Sequence, residues 1–311
     1  MEQKFNRNQR IAAITKVLIE NPNKIINLNR FTEVLNAAKS TISEDIVIVR
    51  ESLSRLSMGR IETISGAAGG VKFIYEVSKE QSSGFVNGLC DVLMSQDRVV
   101  PGDFIYITDI LSDPNVITQA GSIIASKFNG IATDYVVTIE TKGIALAYEV
   151  AKILGVKLII VRRDPKVTEG STISINYVSG SSKKIQTMSL AKKALKKGSK
   201  CLFVDDFMKG GGTASGVRNL LEEFECELVG IGVLIDYAYT PRKLFNEYMS
   251  LLQFKGIDES GKAILSPSNE TIRTDTMPQK IKKERKKQVS KEIRRQINKT
   301  TKQQDIEAIK I

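Results

Sequence analysis

The sequence predicts an α/β protein with an N-terminal winged helix-turn-helix domain and a larger domain built on a mostly parallel sheet. Three observations predict this class. Helical patterns followed by a short hairpin pattern occupy the first 77 residues. Beyond residue 100, apolar strands alternate with helices, which is typical of a parallel sheet covered on both faces. The end of the chain is rich in lysine and poor in apolar side chains, so we expect it to stay outside both cores.

The net charge of +11 lies at the two ends of the chain. We expect a winged-helix domain over 1–77 (net charge +3), a larger α/β domain over 78–276 (net charge 0) and a basic tail over 277–311 (net charge +8) that is disordered, with a marginal exposed helix as the alternative. A neutral centre with basic ends indicates an anionic macromolecule that the ends contact.

Composition excludes several functions. The chain has no histidine, which excludes Ser-His-Asp triads and histidine metal sites. Cys90, Cys201 and Cys226 lie too far apart for a metal or disulfide motif, so we expect them in the core and predict no metal site. No apolar run reaches the length of about 18 residues that spans a membrane. We expect a cytoplasmic protein without a membrane partner.

The first domain is predicted element by element. Helical spacing indicates helices over 9–20 and 28–36, and the spacing of Thr41 and Glu44 suggests a capping box that opens a third helix. A hairpin follows, with strands at Arg60–Ile64 and 71–75. Three helices and a hairpin make a winged helix, against the alternative of an ordinary α+β cap domain. Five residues give the third helix its apolar stripe: Ile42, Ile46, Val49, Leu53 and Leu56.

The second domain begins with a connecting helix over 78–100. Strands are predicted at 104–107, Tyr135–Ile139, 158–161, 201–204 and 228–235, and helices at 116–128, 143–154, 187–197 and 213–225. In such a sheet the ligand binds at the carboxyl ends of the strands.

The strongest motif is residues 201–213, CLFVDDFMKGGGT. A strand ends in Asp205 and Asp206, whose carboxylates can accept hydrogen bonds from two ribose hydroxyls. The glycines let backbone N–H groups surround a phosphate, and Thr213 opens a helix whose N-terminus favours an anion. The motif therefore predicts a site for a phosphorylated sugar. It is not a Walker A loop.

Two further segments follow strands of the same sheet. Residues 140–143, Glu-Thr-Lys-Gly, precede a helix and could hold a pyrophosphate, although a plain solvated helix start is the alternative. Residues 162–171 follow the next strand and lead into an alternating stretch at Thr172–Val178. This third segment is either a loop over the site or an exposed hairpin.

The motif at 201–213 resembles the phosphoribosyl pyrophosphate (PRPP) motif of type I phosphoribosyltransferases. Together with the winged helix, the chain resembles the purine operon repressor (PurR) family of Gram-positive bacteria over about residues 1–275. The match lies in residues 37–45, 66–72, 106–111, 141–143, 166–171, 175–181, 185–192 and 205–209. The lysine-rich tail departs from the family, so nothing carries over to it.

The resemblance implies a homodimeric repressor of purine synthesis and salvage genes. Its effector domain would have the type I phosphoribosyltransferase fold without transferase activity, so we expect no catalytic residues. PRPP would be the inducer that weakens binding to double-stranded DNA of purine operon control regions. No cofactor is required, though Mg²⁺ usually accompanies pyrophosphate esters. The implied effector-binding residues are Thr141, Lys142, Gly143, Asp205, Asp206, Phe207, Lys209, Gly210, Gly211, Gly212 and Thr213.

The expected DNA contacts lie on the third helix and the wing, because the second helix of a helix-turn-helix enters the major groove. They are Lys39, Ser40, Thr41, Ser43, Arg50, Arg55, Arg60 and Lys72, and we expect Lys4, Arg7 and Arg10 to be further phosphate contacts. Serine and threonine there could instead only cap the helix.

Two other functions stay open. One is an active purine phosphoribosyltransferase with an appended N-terminal module, but transferases usually carry Thr-Gly-Gly-Thr where this chain has Lys209 before the glycines. The other is a regulator that binds a different phosphorylated purine nucleotide, an alarmone included. Phe104 and Tyr106 could stack on its base, but we expect both in a core strand.

Overall fold

The computed structural model describes residues 4–95, 98–101, 104–164, 167–178, 185–240 and 243–268; the predicted tail at 277–311 lies outside them. The N-terminal region has the predicted winged-helix order of three helices and a hairpin. Its elements are α1 (Arg7–Glu20), α2 (Leu28–Leu35), α3 (Lys39–Arg55), β1 (Arg60–Ile64) and β2 (Gly70–Ile74). β1 and β2 pair antiparallel.

One apolar cluster holds this region together. Ile42, Ile46, Val49 and Leu53 follow one another at helical spacing and are all buried, as their pattern predicts. They pack against α1 and the hairpin. Leu56 was expected to continue the stripe, but this expectation is wrong. Leu56 is the C-cap of α3, beyond the last buried turn, and is 64% exposed.

The predicted capping box at Thr41 and Glu44 is also wrong. α3 begins earlier, at Lys39, with Ala38 as an N-cap that makes no side-chain hydrogen bond. The physical reason is the turn before it: Asn36 ends α2 in the left-handed region at φ 44°. This conformation reverses the chain within a few residues, so the third helix starts before Thr41 is reached.

The second region contains the remaining elements and one short 3₁₀ turn at Val167–Glu169. Its helices are α4 (Lys79–Ser95), α5 (Thr108–Ser112), α6 (Pro114–Phe128), α7 (Ile144–Leu154) and α8 (Gly212–Glu223). Its strands are β3 (Val99–Val100), β4 (Phe104–Ile105), β5 (Tyr135–Ile139), β6 (Lys157–Val161), β7 (Thr172–Val178), β8 (Ile185–Ala191), β9 (Lys200–Met208), β10 (Glu227–Tyr237), β11 (Met249–Ile257) and β12 (Ala263–Pro267).

Six of these strands form the central sheet, in the order β12-β11-β10-β9-β5-β6. All pairs in it are parallel except β11 with β12, so the predicted mostly parallel sheet is confirmed. One apolar cluster covers one face with α4 to α7, and a second covers the other face with α8 and the β7–β8 hairpin. The direction of strand order reverses between β5 and β9, and such a switch point is where open α/β sheets bind ligands.

Several predicted elements of this region are wrong. The expected helix at 187–197 is instead β8, which pairs antiparallel with β7. Met188, Ser189 and Leu190 are all buried, because β7 pairs along the whole of β8 and the backbone of Ser189 also pairs with Arg162, just after β6. The strand predicted at 104–107 is limited to Phe104–Ile105 and pairs with β3, outside the central sheet. The connecting helix ends at Ser95, and β11 and β12 were not predicted.

The winged helix contacts the second region at the amino ends of the parallel strands. Asn23 Nδ2 donates a 2.9 Å hydrogen bond to the carbonyl oxygen of Ile153, near the end of α7. Asn129 Nδ2, just after α6, donates a 2.7 Å bond to the carbonyl oxygen of Tyr75. Both helices end where they lead into a strand, so the winged helix lies at the opposite end of the sheet from the carboxyl edge.

The three cysteines are buried and free, as expected. Burial raises the pKa of Cys90 to about 11 and that of Cys201 to about 12, so both thiols stay protonated. Among the described helices, none is long and apolar enough to span a membrane.

Candidate functional site

A cavity of about 970 Å³ opens at the carboxyl ends of β5, β9 and β10. It lies at the switch point of the sheet, where the topology places a ligand. The structure brings the predicted effector-binding residues together there. The cavity is lined by Thr141, Lys142, Asp205, Asp206, Phe207, Lys209, Gly210, Gly211, Gly212 and Thr213, and Gly143 lies directly behind its wall.

Asp205 and Asp206 form the centre of the cavity. Asp205 is 7% exposed, and its Oδ1 accepts a 2.9 Å hydrogen bond from the backbone N–H of Asp206. Burial, with the neighbouring negative charge of Asp206, raises the pKa of Asp205 well above its usual range. Asp206 is half-buried at the cavity. The pair therefore offers a ligand's hydroxyl groups one buried carboxyl with a raised pKa and one half-buried carboxyl.

Gly143 is packed tightly behind Asp205. A Cβ at this position would lie 2.6 Å from Asp205 Oδ1 and 2.8 Å from Thr138 Oγ1. Only glycine lets the loop before α7 approach the carboxylate so closely. The loop is thereby held against the middle of the site, with Thr141 and Lys142 exposed at the cavity.

Two helix N-termini face the cavity from either side of the carboxylates. Gly143 is the N-cap of α7, and Gly211 is the N-cap of α8. Gly211 has φ 81°, a conformation that glycine adopts without strain. The first N–H groups of each helix have no partner inside the helix, and both ends carry positive dipole charge. The arrangement can bind two separate anionic groups. Between them, the two aspartate side chains can accept hydrogen bonds from hydroxyl groups of the ligand.

The third predicted segment, 162–171, is tied to the loop before α7. Arg162 contacts Glu140 at 3.3 Å and Glu169 at 2.9 Å, and the backbone N–H of Arg163 donates a 2.6 Å bond to Glu140. Arg163 also lines the cavity. The hairpin of β7 and β8 follows, so the described part of this segment, 162–164 and 167–171, lies between the site and the hairpin.

Aromatic side chains form the remaining wall; the sequence suggested Phe104 and Tyr106 there only as an alternative and did not point to Tyr237. Phe104 and Tyr106, which we expected in the core, are 47% and 48% exposed and line the cavity. The strand that contains Phe104 is too short to bury it in the sheet. Lys209 Nζ lies 5.7 Å from the ring centroid of Phe104 and 5.4 Å from that of Tyr237. These are cation–π distances, so the ammonium group is held between the two rings.

The side chains predicted to contact DNA differ in their exposure and in the hydrogen bonds and ion pairs that they already form. Arg50 donates to the carbonyl oxygen of Ile61 and to Thr63 Oγ1, so it fastens α3 to the wing. Arg60 pairs with Glu62 and Glu76, and Lys72 pairs with Glu62. Thr41 is half-buried, while Lys39, Ser40, Ser43, Arg55 and Arg60 are exposed. Within the described part of the chain, Lys39 and Arg55 form no ion pair.

Arg10 does not have the role expected of it. Its Nε donates a 2.7 Å bond to the carboxylate of Asp45, and its exposed fraction is 12%. Asp45 is 1% exposed in the middle of α3, and a buried carboxylate requires such a partner. Arg10 therefore joins α1 to α3 and is unavailable to a phosphate. Arg7 lies 3.5 Å from the same carboxylate but is 57% exposed.

Comparison with known proteins gives two family matches. Residues 6–75 match the N-terminal domain of the bacterial purine repressor, and residues 107–257 match the phosphoribosyl transferase domain. The purine biosynthesis transcriptional repressor PurR of Bacillus subtilis is 46% identical over 261 residues, which cover 84% of this chain and 92% of that protein. In Lactococcus lactis IL1403, a purine biosynthesis transcriptional activator PurR is 41% identical over 84% of this chain and 96% of its own length.

Enzymes are more distant matches. The xanthine phosphoribosyltransferase of Lactococcus lactis subsp. cremoris SK11 is 29% identical over 188 residues, 58% of this chain and 95% of the enzyme. The solved adenine phosphoribosyltransferase of Thermoanaerobacter pseudethanolicus is 24% identical and covers 54% of this chain and 99% of that chain, with a TM-score of 0.47.

Proposed function

This chain belongs to the PurR family of purine biosynthesis regulators, and from that membership we propose that it represses its target genes until PRPP binds. It is a DNA-binding transcriptional regulator of purine biosynthesis, with the winged helix as its DNA-binding domain. The target sites would be double-stranded DNA of purine operon control regions. Acting on DNA, it would work in the cytoplasm.

One observation carries the choice of effector: two helix N-termini flank adjacent carboxylates in one cavity. PRPP has the matching order of groups, a phosphate, a pentose with two neighbouring hydroxyls, and a pyrophosphate. The loop at Lys209–Thr213 would bind the 5′-phosphate, Asp205 and Asp206 the hydroxyls, and Thr141 to Gly143 the pyrophosphate. Mg²⁺ would enter on the pyrophosphate oxygens, which bind it in water.

We propose that the protein binds PRPP without transferring its ribose. A transferase needs room for an aromatic base beside the ribose, and a base would stack on exposed rings. Here the ammonium of Lys209 already lies over Phe104 and Tyr237. The close relatives are regulators by name, which agrees with this proposal, whereas a transferase is a more distant match.

PRPP could release DNA either by direct charge repulsion of the DNA phosphates or by a change in domain orientation. The position of the cavity favours the second. α7 has 11 residues, about 16 Å in length, and it separates the loop at the cavity from the contact with the winged helix. This distance is about twice the Debye length at physiological salt, so direct repulsion between PRPP and DNA would be weak. A change in domain orientation, with PRPP binding the DNA-incompetent state better, fits this arrangement.

The winged helix has a net charge of only +3, so we propose that two copies bind DNA together, on palindromic or repeated sites.

The proposed function is tested by fluorescence anisotropy of purine-operon control DNA with the purified protein, titrated with PRPP and Mg²⁺. Specific binding that PRPP reverses is expected. Specific DNA binding that PRPP does not change would refute PRPP as the effector. It would leave the role of the protein as a DNA-binding regulator intact.

Two alternatives give distinct results. The Lactococcus relative is named an activator, so a reporter gene that needs the protein for expression would indicate activation in place of repression. The exposed aromatic wall could stack on a purine, so release of DNA by a purine nucleotide or an alarmone, and not by PRPP, would indicate that ligand class. Base-dependent release of pyrophosphate from PRPP would indicate a transferase.

A further inference from the structure

The segment between β10 and β11 contacts the outer side of the loop at Lys209–Thr213. We name its described part, residues 238–240 and 243–248, the clamp segment. Thr240 Oγ1 donates a 2.6 Å hydrogen bond to the carbonyl oxygen of Lys209. The backbone N–H of Leu244 donates a 3.1 Å bond to the carbonyl oxygen of Gly210. Two consecutive carbonyl groups of the phosphate loop are thus bonded to one segment.

These two bonds fix the direction of the loop's N–H groups. A trans peptide is planar, and its C=O and N–H point in opposite directions. The carbonyl of Lys209 shares a peptide with the N–H of Gly210, and the carbonyl of Gly210 shares one with the N–H of Gly211. Because the clamp segment holds both carbonyls on the outer side, the two N–H groups are turned toward the cavity that both glycines line.

Side chains of the clamp segment also pack on the loop. A Cβ built on Gly211 would lie 3.2 Å from Phe245 Cδ2 and 3.5 Å from Leu244 Cβ. The guanidinium carbon of Arg218, on α8, lies 5.0 Å from the ring centroid of Phe245. The segment therefore contacts both the turn and the helix that together present the phosphate-binding amides.

A buried ion pair anchors the clamp segment to the sheet. Lys243 Nζ lies 2.5 Å and 2.6 Å from the two carboxylate oxygens of Asp236 and 2.6 Å from the hydroxyl of Tyr248. Asp236 is 2% exposed on β10, in register with Met208 on β9. Met208 is the residue before the loop, so the anchor and the loop start from adjacent points of the sheet.

We propose that Lys243 is a positioning residue for the effector: its ion pair with Asp236 holds the clamp segment, which sets the loop at Lys209–Gly212 to bind a phosphate. The proposal rests on the proposed function for the identity of the ligand. Neither residue lines the cavity, so neither touches the ligand itself.

The test must avoid leaving a lone charge in the interior, because an unpaired buried carboxylate would destabilise the whole protein. Asp236→Asn combined with Lys243→Met removes both charges at similar volume, and Lys243→Arg keeps the pair. Calorimetry would measure the binding of ribose 5-phosphate, PRPP and inorganic pyrophosphate, each with Mg²⁺. Ribose 5-phosphate needs the clamped loop, whereas pyrophosphate can bind at Thr141–Gly143 alone.

In the double variant we expect ribose 5-phosphate and PRPP to bind about tenfold more weakly, roughly the effect of one lost hydrogen bond to a charged group. Pyrophosphate affinity should stay unchanged, and Lys243→Arg should bind all three ligands as the parent chain does. Equal loss of all three ligands, or unchanged affinity for ribose 5-phosphate, would overturn the proposal.

A second readout needs no ligand. The amide of Leu244, which donates to the carbonyl oxygen of Gly210, should exchange hydrogen faster in the double variant than in Lys243→Arg, because the clamp segment is released from the loop. Unchanged exchange would overturn the clamp whatever the ligand is. If the parent chain fails to bind PRPP while exchange responds as expected, the proposed effector is wrong and the clamp stands.

Discussion

The side chain of Asn23 donates a hydrogen bond of 2.9 Å to the carbonyl oxygen of Ile153, and so joins the winged helix to the last turn of α7. The other end of α7 begins at Gly143, pressed against Asp205 in the cavity. Beyond Ile153, Gly155 packs so closely on Pro22 that an added Cβ would lie 2.6 Å from the Pro22 carbonyl oxygen. A single helix therefore connects the candidate effector site with the DNA-binding domain.

Asn23→Ala should reduce the effect of PRPP on DNA binding without abolishing either binding event. Coupling free energies between sites are typically 1–3 kcal/mol, and loss of about 1 kcal/mol would make PRPP roughly fivefold less effective. The measurement is DNA affinity with and without saturating PRPP. Asn8→Ala, an exposed residue of α1, is the control. An unaltered PRPP effect in Asn23→Ala would show that α7 does not couple the sites through this bond.

Asp205→Asn should stabilise the ligand-free protein at neutral pH. The folded pKa of Asp205 is raised above its unfolded value, so the folded state holds a proton that the unfolded state has released. Stability should therefore fall as pH rises from near 4 through the raised pKa. The variant should lack this decline and be more stable in urea unfolding at neutral pH, because it has no buried charge to desolvate. Parallel pH profiles for both proteins would contradict the assignment.

Replacing both carboxylates, as Asp205→Ala with Asp206→Ala, should abolish the response to PRPP and leave DNA binding intact. The two residues lie at the carboxyl edge of the sheet, whereas the winged helix contacts the amino edge. Operator affinity in a titration with PRPP is the measurement, and Glu227→Ala, exposed at the start of β10 and outside the cavity lining, serves as the control. A folded double variant that no longer binds DNA would mean that the domains do not divide the work in this way.

Arg55→Ala should weaken DNA binding similarly for all sequences and make it less dependent on salt. Arg55 is exposed at the end of α3 and forms no ion pair with another described residue. The slope of log affinity against log salt should decrease by about 1 for one lost phosphate contact. Lys193→Ala, exposed in the effector domain, should leave the slope unchanged. If the Arg55→Ala and Lys193→Ala variants show the same slope, Arg55 does not contact a DNA phosphate.

Arg10→Leu should destabilise the winged helix, because it removes the part-buried partner of Asp45 and leaves only the exposed Arg7 beside that buried carboxylate. Breaking one partner of a buried pair costs about 3–5 kcal/mol. Chemical denaturation should show this loss, and Asp45→Asn in the same chain should restore part of it. If Arg10→Leu instead kept full stability and lost DNA affinity, the phosphate contact first expected of Arg10 would be correct.

The sequence predicts the centre of the site well because its chemistry is contiguous. Residues 201–213 contain the strand, the carboxylates, the glycine turn and the helix start, so local rules suffice to assemble them. The third helix is likewise predicted by the spacing of Ile42, Ile46, Val49 and Leu53. In both segments the local pattern and the tertiary burial agree.

The errors arise where distant segments decide the outcome. β8 is a strand because β7 pairs with it, although lysines and alanines near residues 192–197 favour a helix by composition. The exposure of Phe104 follows from a strand too short to enter the sheet. Contacts between the clamp segment and the loop join residues about 30 positions apart, and no spacing rule reports them. Arg10 has the wrong predicted role for the same reason, since Asp45 is its partner only in the fold.

The opposite placement of the cavity and the winged helix has a kinetic consequence. If the effector bound to the DNA-contacting surface itself, it could bind only after the protein had dissociated from DNA. It would then prevent rebinding but would not speed up dissociation. Here the cavity would stay open while the protein occupies its operator, so a ternary complex can form. The effector would then shorten the residence time on DNA, and genes would respond on the timescale of a rise in metabolite concentration instead of that of spontaneous dissociation.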